Sequence, residues 1–118
     1  MLLKDITQVV KAKALTPVSD DILNMEIGKA FASDLMSDVL CYLRDVEDNV
    51  LLITGLTNLQ IVHTASTIDI KAILVVRGKT VEEHVIEAAK DHEISIFVTD
   101  ETLFSASGKI YCLENMHD

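Results

Sequence analysis

Three apolar runs restrict what this chain can fold into. They are Val50-Leu51-Leu52-Ile53-Thr54, Lys71-Ala72-Ile73-Leu74-Val75-Val76 and Ile94-Ser95-Ile96-Phe97-Val98. None shows the in–out alternation of a half-exposed antiparallel strand, so each has to be covered on both faces. Each is followed by a segment of helical character. Gly55-Leu56-Thr57-Asn58 turns into a helix running to about Asp69. Arg77-Gly78-Lys79 turns into a helix opened by Thr80-Val81-Glu82-Glu83, which has capping-box spacing. Thr99-Asp100 precedes a last helix ending near Leu113, before an acidic tail. Strand–helix–strand units with doubly covered strands imply right-handed crossovers and parallel pairing. The expected class is α/β: three-layer-like βα repeats, with a small, mainly parallel sheet flanked by helices.

The first forty-odd residues are less regular. Leu2/Leu3, Ile6 and Val9/Val10 have the spacing of a helix over residues 2–12. Thr16-Pro17 breaks that pattern, and Ser19-Asp20-Asp21 reads as a turn. Between residues 22 and 32 the Met25/Ile27 alternation suggests a strand, with Gly28 as a bulge or a close backbone approach. Ser33 or Asp34 can cap the helix that follows. On that helix Leu35, Met36, Val39, Leu40, Leu43 and Val46 spread over an arc of roughly 140°. A helix lying on a sheet buries a stripe of about 100° or somewhat more. The surplus suggests a second contact surface, a homodimer to which Met36, Leu40 and Leu43 contribute.

At 118 residues, with 49% apolar residues and a single proline, the chain reads as one compact domain over residues 1–118. It shows no internal repeat, linker or low-complexity segment. A formal net charge of −9 disfavours nucleic-acid partners, because such a surface repels phosphate backbones. No apolar run approaches the length of a membrane span, and Leu2-Leu3-Lys4-Asp5 lacks a signal-peptide layout. Cys41 and Cys112, far apart and outside any CxxC motif, read as reduced, semi-buried residues of a cytoplasmic protein.

In open α/β sheets, ligands gather at the carboxyl ends of the strands. The loops there offer Thr54, Thr57 and Asn58 from the first unit, Arg77, Lys79 and Thr80 from the second, and Thr99 from the third. Hydroxyls, an amide and two cations beside helix N-termini suit a phosphate or a carboxylate. The same residues also have routine work as caps, turn residues and solvated loop charges. Gly78-Lys79-Thr80 superficially suggests a P-loop, but the required earlier glycine position is Ile73, inside a strand, and no GxGxxG occurs. His63, His84, His92 and His117 have no metal-ligand spacing, so neither a metal nor a cofactor is expected. Ser105-Ala106-Ser107-Gly108 falls inside the last helix, where small residues permit close packing, rather than in a nucleophile elbow.

Over about residues 3–113 the chain resembles the DRTGG domain family. The most specific segment is Ala32-Ser33-Asp34-Leu35-Met36-Ser37-Asp38-Val39-Leu40. Leu52-Ile53-Thr54-Gly55-Leu56-Thr57-Asn58, Ala72-Ile73-Leu74-Val75-Val76-Arg77-Gly78 and Leu103-Phe104-Ser105-Ala106-Ser107-Gly108-Lys109-Ile110-Tyr111 support it. The segment that names the family falls at Asn24-Met25-Glu26-Ile27-Gly28-Lys29, where only Gly28 is kept. The family is similar in fold to the N-terminal domain of HPr kinase/phosphorylase. It also occurs beside CBS domains in a pyrophosphatase, in phosphotransacetylases, and as stand-alone proteins near iron hydrogenase subunits. The resemblance implies a non-catalytic regulatory or assembly module, with a protein partner in a regulatory or redox assembly, and it supplies no catalytic residues.

Three functions stay open on the sequence. One is a homodimeric regulatory or interaction module that is not an enzyme. The second is a sensor of a small anionic ligand, a nucleotide or an acyl phosphate, at the strand ends. The third is an enzyme or phosphoacceptor using His63 or Cys41.

Overall fold

The three apolar runs become the interior of a five-stranded sheet in the computed structural model, which describes residues 1–116. In chain order the elements are α1 (Leu3–Val9), β1 (Lys13–Ala14), α2 (Asp20–Leu23), β2 (Lys29–Ala32), α3 (Met36–Leu43) and β3 (Val50–Thr54). They continue with α4 (Leu59–Thr67), β4 (Ala72–Val75), α5 (Glu83–Asp91), β5 (Ser95–Val98) and α6 (Leu103–Glu114). The strands lie in the order β1-β5-β4-β3-β2. All neighbours are parallel except β1, which runs antiparallel to β5.

Strand order explains the layering. Since β2, β3, β4 and β5 are neighbours in chain order, each crossover steps the same way, and crossovers of one hand put their helices on one face. Accordingly α3, α4 and α5 cover the face formed by Val50, Leu52, Ile73, Val75 and Ile96. After β5 the chain returns across the other face, where α1 and α6 cover Leu51, Ile53, Ala72, Leu74 and Phe97. Alternate residues of one continuous apolar run thus serve two cores, and this is why the run shows no alternation of type.

The less regular region differs from the sequence expectation. The strand expected within residues 22–32 is confined to Lys29–Ala32, and Glu26 only bridges Leu2. Ser19-Asp20-Asp21 is a helix start rather than a turn: the Ser19 hydroxyl accepts from the Ile22 N–H at 3.3 Å, and both aspartates sit in the first turn of α2. Strand β1 had no sequence signal, because both of its residues are exposed and its existence depends on β5.

Three expected caps also differ. Ser33 accepts from the Leu35 N–H at 3.0 Å, so Leu35 stands at the start of α3, and Asp34 is engaged elsewhere. Glu82 precedes α5 without a side-chain cap, leaving the capping box unformed. Thr102, not Thr99, caps α6 by accepting from the Ser105 N–H at 3.1 Å.

Only the middle of the broad apolar arc of α3 is filled from within, and Leu35 at its edge is exposed. Met36 and Leu43 are 3% and 2% exposed in the core shared with the sheet and α4, and Leu40 alone of the three expected contact residues reaches the surface.

Candidate functional site

The polar centre at the carboxyl ends of the strands is organised around Gly55, directly after β3. Asp34, just beyond the end of β2, accepts from the Thr54 hydroxyl at 3.0 Å and from the Gly55 N–H at 2.6 Å through Oδ1. Its other oxygen lies 3.9 Å from Nη2 of Arg77. The Arg77 guanidinium rests where a Cβ on residue 55 would be, so glycine is the residue that admits it. Lys79 reaches the same residue, its ammonium donating to the Gly55 carbonyl at 2.7 Å. Two cations and one carboxylate therefore converge on one backbone unit.

The loop that delivers both cations is strained. Arg77 and Gly78 have φ of 67° and 61° in succession. A non-glycine residue in the left-handed region costs about 1–2 kcal/mol, and Arg77 is held there by neighbours. Its N–H donates to the Glu101 carbonyl at 2.8 Å, and the Gly78 N–H donates to the Thr99 carbonyl at 2.9 Å. After β4 the chain crosses to the α5 face and after β5 to the α6 face, the divergence at which open α/β sheets form a ligand crevice. Here those two hydrogen bonds tie the diverging loops together.

The seven residues singled out on the sequence separate into three places. Thr54, Arg77 and Lys79 meet at Gly55, with the Thr54 hydroxyl buried and also accepting from the Leu56 N–H at 3.1 Å. Thr57, Asn58 and Thr80 line an open depression of about 530 Å³, together with Gln60, Glu82 and His84. Asn58 also caps α4 by accepting from the Gln60 N–H at 3.2 Å. Thr99 is 4% exposed and structural: its hydroxyl donates to the Val10 carbonyl at 2.6 Å and accepts from the Glu101 N–H at 3.2 Å. It fastens the end of α1 to the last strand.

Asp34 and Gly55 were missed as site residues. Asp34 looked like a helix cap, and its partners lie twenty residues downstream, beyond the reach of any local pattern.

Carboxylates balance the cations. Glu101 pairs with the Lys109 ammonium and accepts from the Ser105 hydroxyl at 2.7 Å, and these two contacts, the ammonium first, hold its carboxyl below the usual range. Glu87 is lowered in the same direction, chiefly by its hydrogen bond with Lys90 at 3.1 Å. Among the described residues no group of three or more His, Cys, Asp or Glu side chains could hold a metal ion. His84 faces Glu82 at 3.4 Å with both side chains exposed, and His117 lies outside the described residues. Cys41 and Cys112 are free thiols and both are exposed, where semi-buried positions were expected. No helix among the described residues is long and apolar enough to cross a membrane.

No protein-family model matches the chain, and no curated protein matches it. Among solved structures, it is similar to the CBS and DRTGG domains of the regulatory region of Clostridium perfringens pyrophosphatase, complexed with the activator diadenosine tetraphosphate. The TM-score is 0.71 at 21% identity, over 92% of this chain and 45% of that one. The chain thus spans less than half the length of that structure, and the likeness is one of fold.

Proposed function

We propose that the chain is a non-catalytic regulatory or interaction module that works as a homodimer. The observation that carries this reading is the self-satisfied carboxyl edge of the sheet. Where α/β enzymes present a nucleophile, a base or a cofactor cradle, this chain bonds Thr54 to Asp34, Lys79 to Gly55, and the β4 loop to the β5 loop. The regulatory region that it resembles in fold supports the same direction. A protein partner in a larger regulatory assembly fits a module of this kind.

A second reading, a sensor of a small anion, is favoured by the arrangement around Gly55. Arg77 is about half exposed, and its contact with Asp34 is long at 3.9 Å. A phosphate or carboxylate can compete for that guanidinium while Lys79 supplies a second charge. Release of Asp34 would then loosen the turn between β2 and α3, so occupancy at the strand ends would be felt at the sheet edge.

Thermal-shift titration with inorganic phosphate, acetyl phosphate and adenine nucleotides tests the sensor. At 100 times the dissociation constant, a ligand adds about 2.7 kcal/mol of stability. Arg77→Asn, which tolerates the left-handed backbone but has no cation, is expected to abolish the shift and leave the melting temperature of the free protein unchanged or slightly higher. A shift that survives Arg77→Asn contradicts the site, and no shift with any of these anions contradicts the sensor.

A further inference from the structure

The outer edge of β2 is unfinished in a way that fits one occupant, a second copy of the same chain. β2 ends the sheet. The Lys29 and Ser33 N–H groups donate to the carbonyls of Asn49 and Ile53, so odd-numbered residues of this segment face β3. By the period of a strand, Ala30 and Ala32 turn their N–H and C=O groups to the open side. Their side chains are the smallest that keep a Cβ, so they add little bulk beside that row.

Two further observations fall on the same edge. Tyr42 and Tyr111, the only tyrosines of the chain, are each 67% exposed and flank β2 from opposite faces of the sheet. Tyr42 on α3 lies against Phe31, with ring centroids 5.9 Å apart. Tyr111 on α6 lines a small depression of about 140 Å³ with Ala30, Ala32, Ser107 and Glu114. The Ser107 hydroxyl is buried there without a hydrogen-bond partner among the described residues. Exposed tyrosines with an apolar body and a polar tip are characteristic of interface anchors.

We infer that two copies join through antiparallel pairing of β2 with β2, about a twofold axis at Phe31, giving a continuous ten-stranded sheet. This inference rests on the homodimer reading and gives it a surface. With the axis at Phe31, Ala30 stands opposite Ala32 of the second copy, and the free groups of both strands are used in two reciprocal pairs. The same register sets Lys29 opposite Ser33 of the second copy, so no two like charges are opposed along the new ladder. That absence of opposed carboxylates matters for a chain whose copies carry −9 each and otherwise repel. A foreign strand would satisfy the same backbone groups without accounting for this pattern.

The test uses the full chain with Cys41→Ser and Cys112→Ser, carrying either Ala30→Cys or Ala32→Cys. Opposed residues of a hydrogen-bonded pair have Cα atoms about 5.5 Å apart, within disulfide reach. Each variant alone places its two thiols two residues out of step along the strand, beyond the about 7 Å limit. Sedimentation of the unmodified chain is run alongside. The inference predicts a dimer, and under mild oxidation a disulfide-linked species that forms in the mixture of the two variants but with neither alone. A dimer without a mixture-specific disulfide overturns the β2 surface and leaves the homodimer reading standing. A monomer at micromolar concentration overturns both.

Discussion

The two edges of the sheet are finished differently. On one side β1 contributes only two residues before the Leu15 N–H donates to the Ile96 carbonyl and the buried Thr16 hydroxyl accepts from the Ile96 N–H at 3.1 Å. Pro17 follows at once. A short strand, a side chain taking over the ladder and a proline are the devices by which proteins blunt an edge. On the other side β2 presents four residues with alanines at its outward positions, no proline, and an exposed tyrosine above and below. Both edges face the same solvent, so the contrast separates an edge closed within the chain from one whose outward backbone groups stay open.

Expected effects on this contrast run from the centre of the sheet outward. Leu52→Ala, in a fully buried position of the interior strand β3, is expected to lower the unfolding free energy by about 2–5 kcal/mol in urea titration. An edge substitution should do something different in kind. Ala32→Pro removes an N–H that faces away from β3, so it is expected to weaken association at least about tenfold through two lost hydrogen bonds per dimer. Urea unfolding of the monomer should stay near that of the parent chain. Ala14→Pro is the matched change on the opposite edge: Leu15 faces β5, so Ala14 faces outward, and no change in mass is expected.

Tyr111→Ser is expected to weaken association by about 1–2 kcal/mol, read as a shift in the dimer dissociation constant. Unchanged association would remove the tyrosine from the interface. The smallest effect is a control that touches stability alone. Glu93 closes α5 at φ 57°, with the Ile94 N–H reaching the Ala89 carbonyl at 2.8 Å, a position where glycine is usual. Glu93→Gly is expected to stabilise the fold by about 0.5 kcal/mol, strain relief outweighing the added freedom of the unfolded chain, with association untouched.

The middle of the sheet was readable because strands covered on both faces are apolar at nearly every position, and in β3, β4 and β5 only Thr54 and Ser95 depart from that. The ends of helices were not, since Lys11, Asp69 and Glu93 occupy left-handed positions that a glycine would have marked. Strand β1 has no apolar residue pattern of its own, and α2 was hidden in three residues that serve a turn as well as a cap. The Gly55 centre was half readable. Arg77 and Lys79 were visible as cations after a strand, whereas Asp34 joins them only once β2 and β3 lie side by side. The interface was sought on Met36, Leu40 and Leu43 because a wide apolar arc looked like a surplus. Met36 and Leu43 are claimed by the protein's own core and Leu40 stands at the surface, while the open row of backbone groups lies at β2, where Lys29, Ala30 and Ala32 surround Phe31.

The most direct test is sedimentation equilibrium of the parent chain, Ala14→Pro and Ala32→Pro at one micromolar loading. The account predicts a dimer for the parent and for Ala14→Pro with the same dissociation constant, and a dissociation constant at least about tenfold higher for a still-folded Ala32→Pro. An unchanged dissociation constant in Ala32→Pro, or a weakened dimer in Ala14→Pro instead, would contradict it.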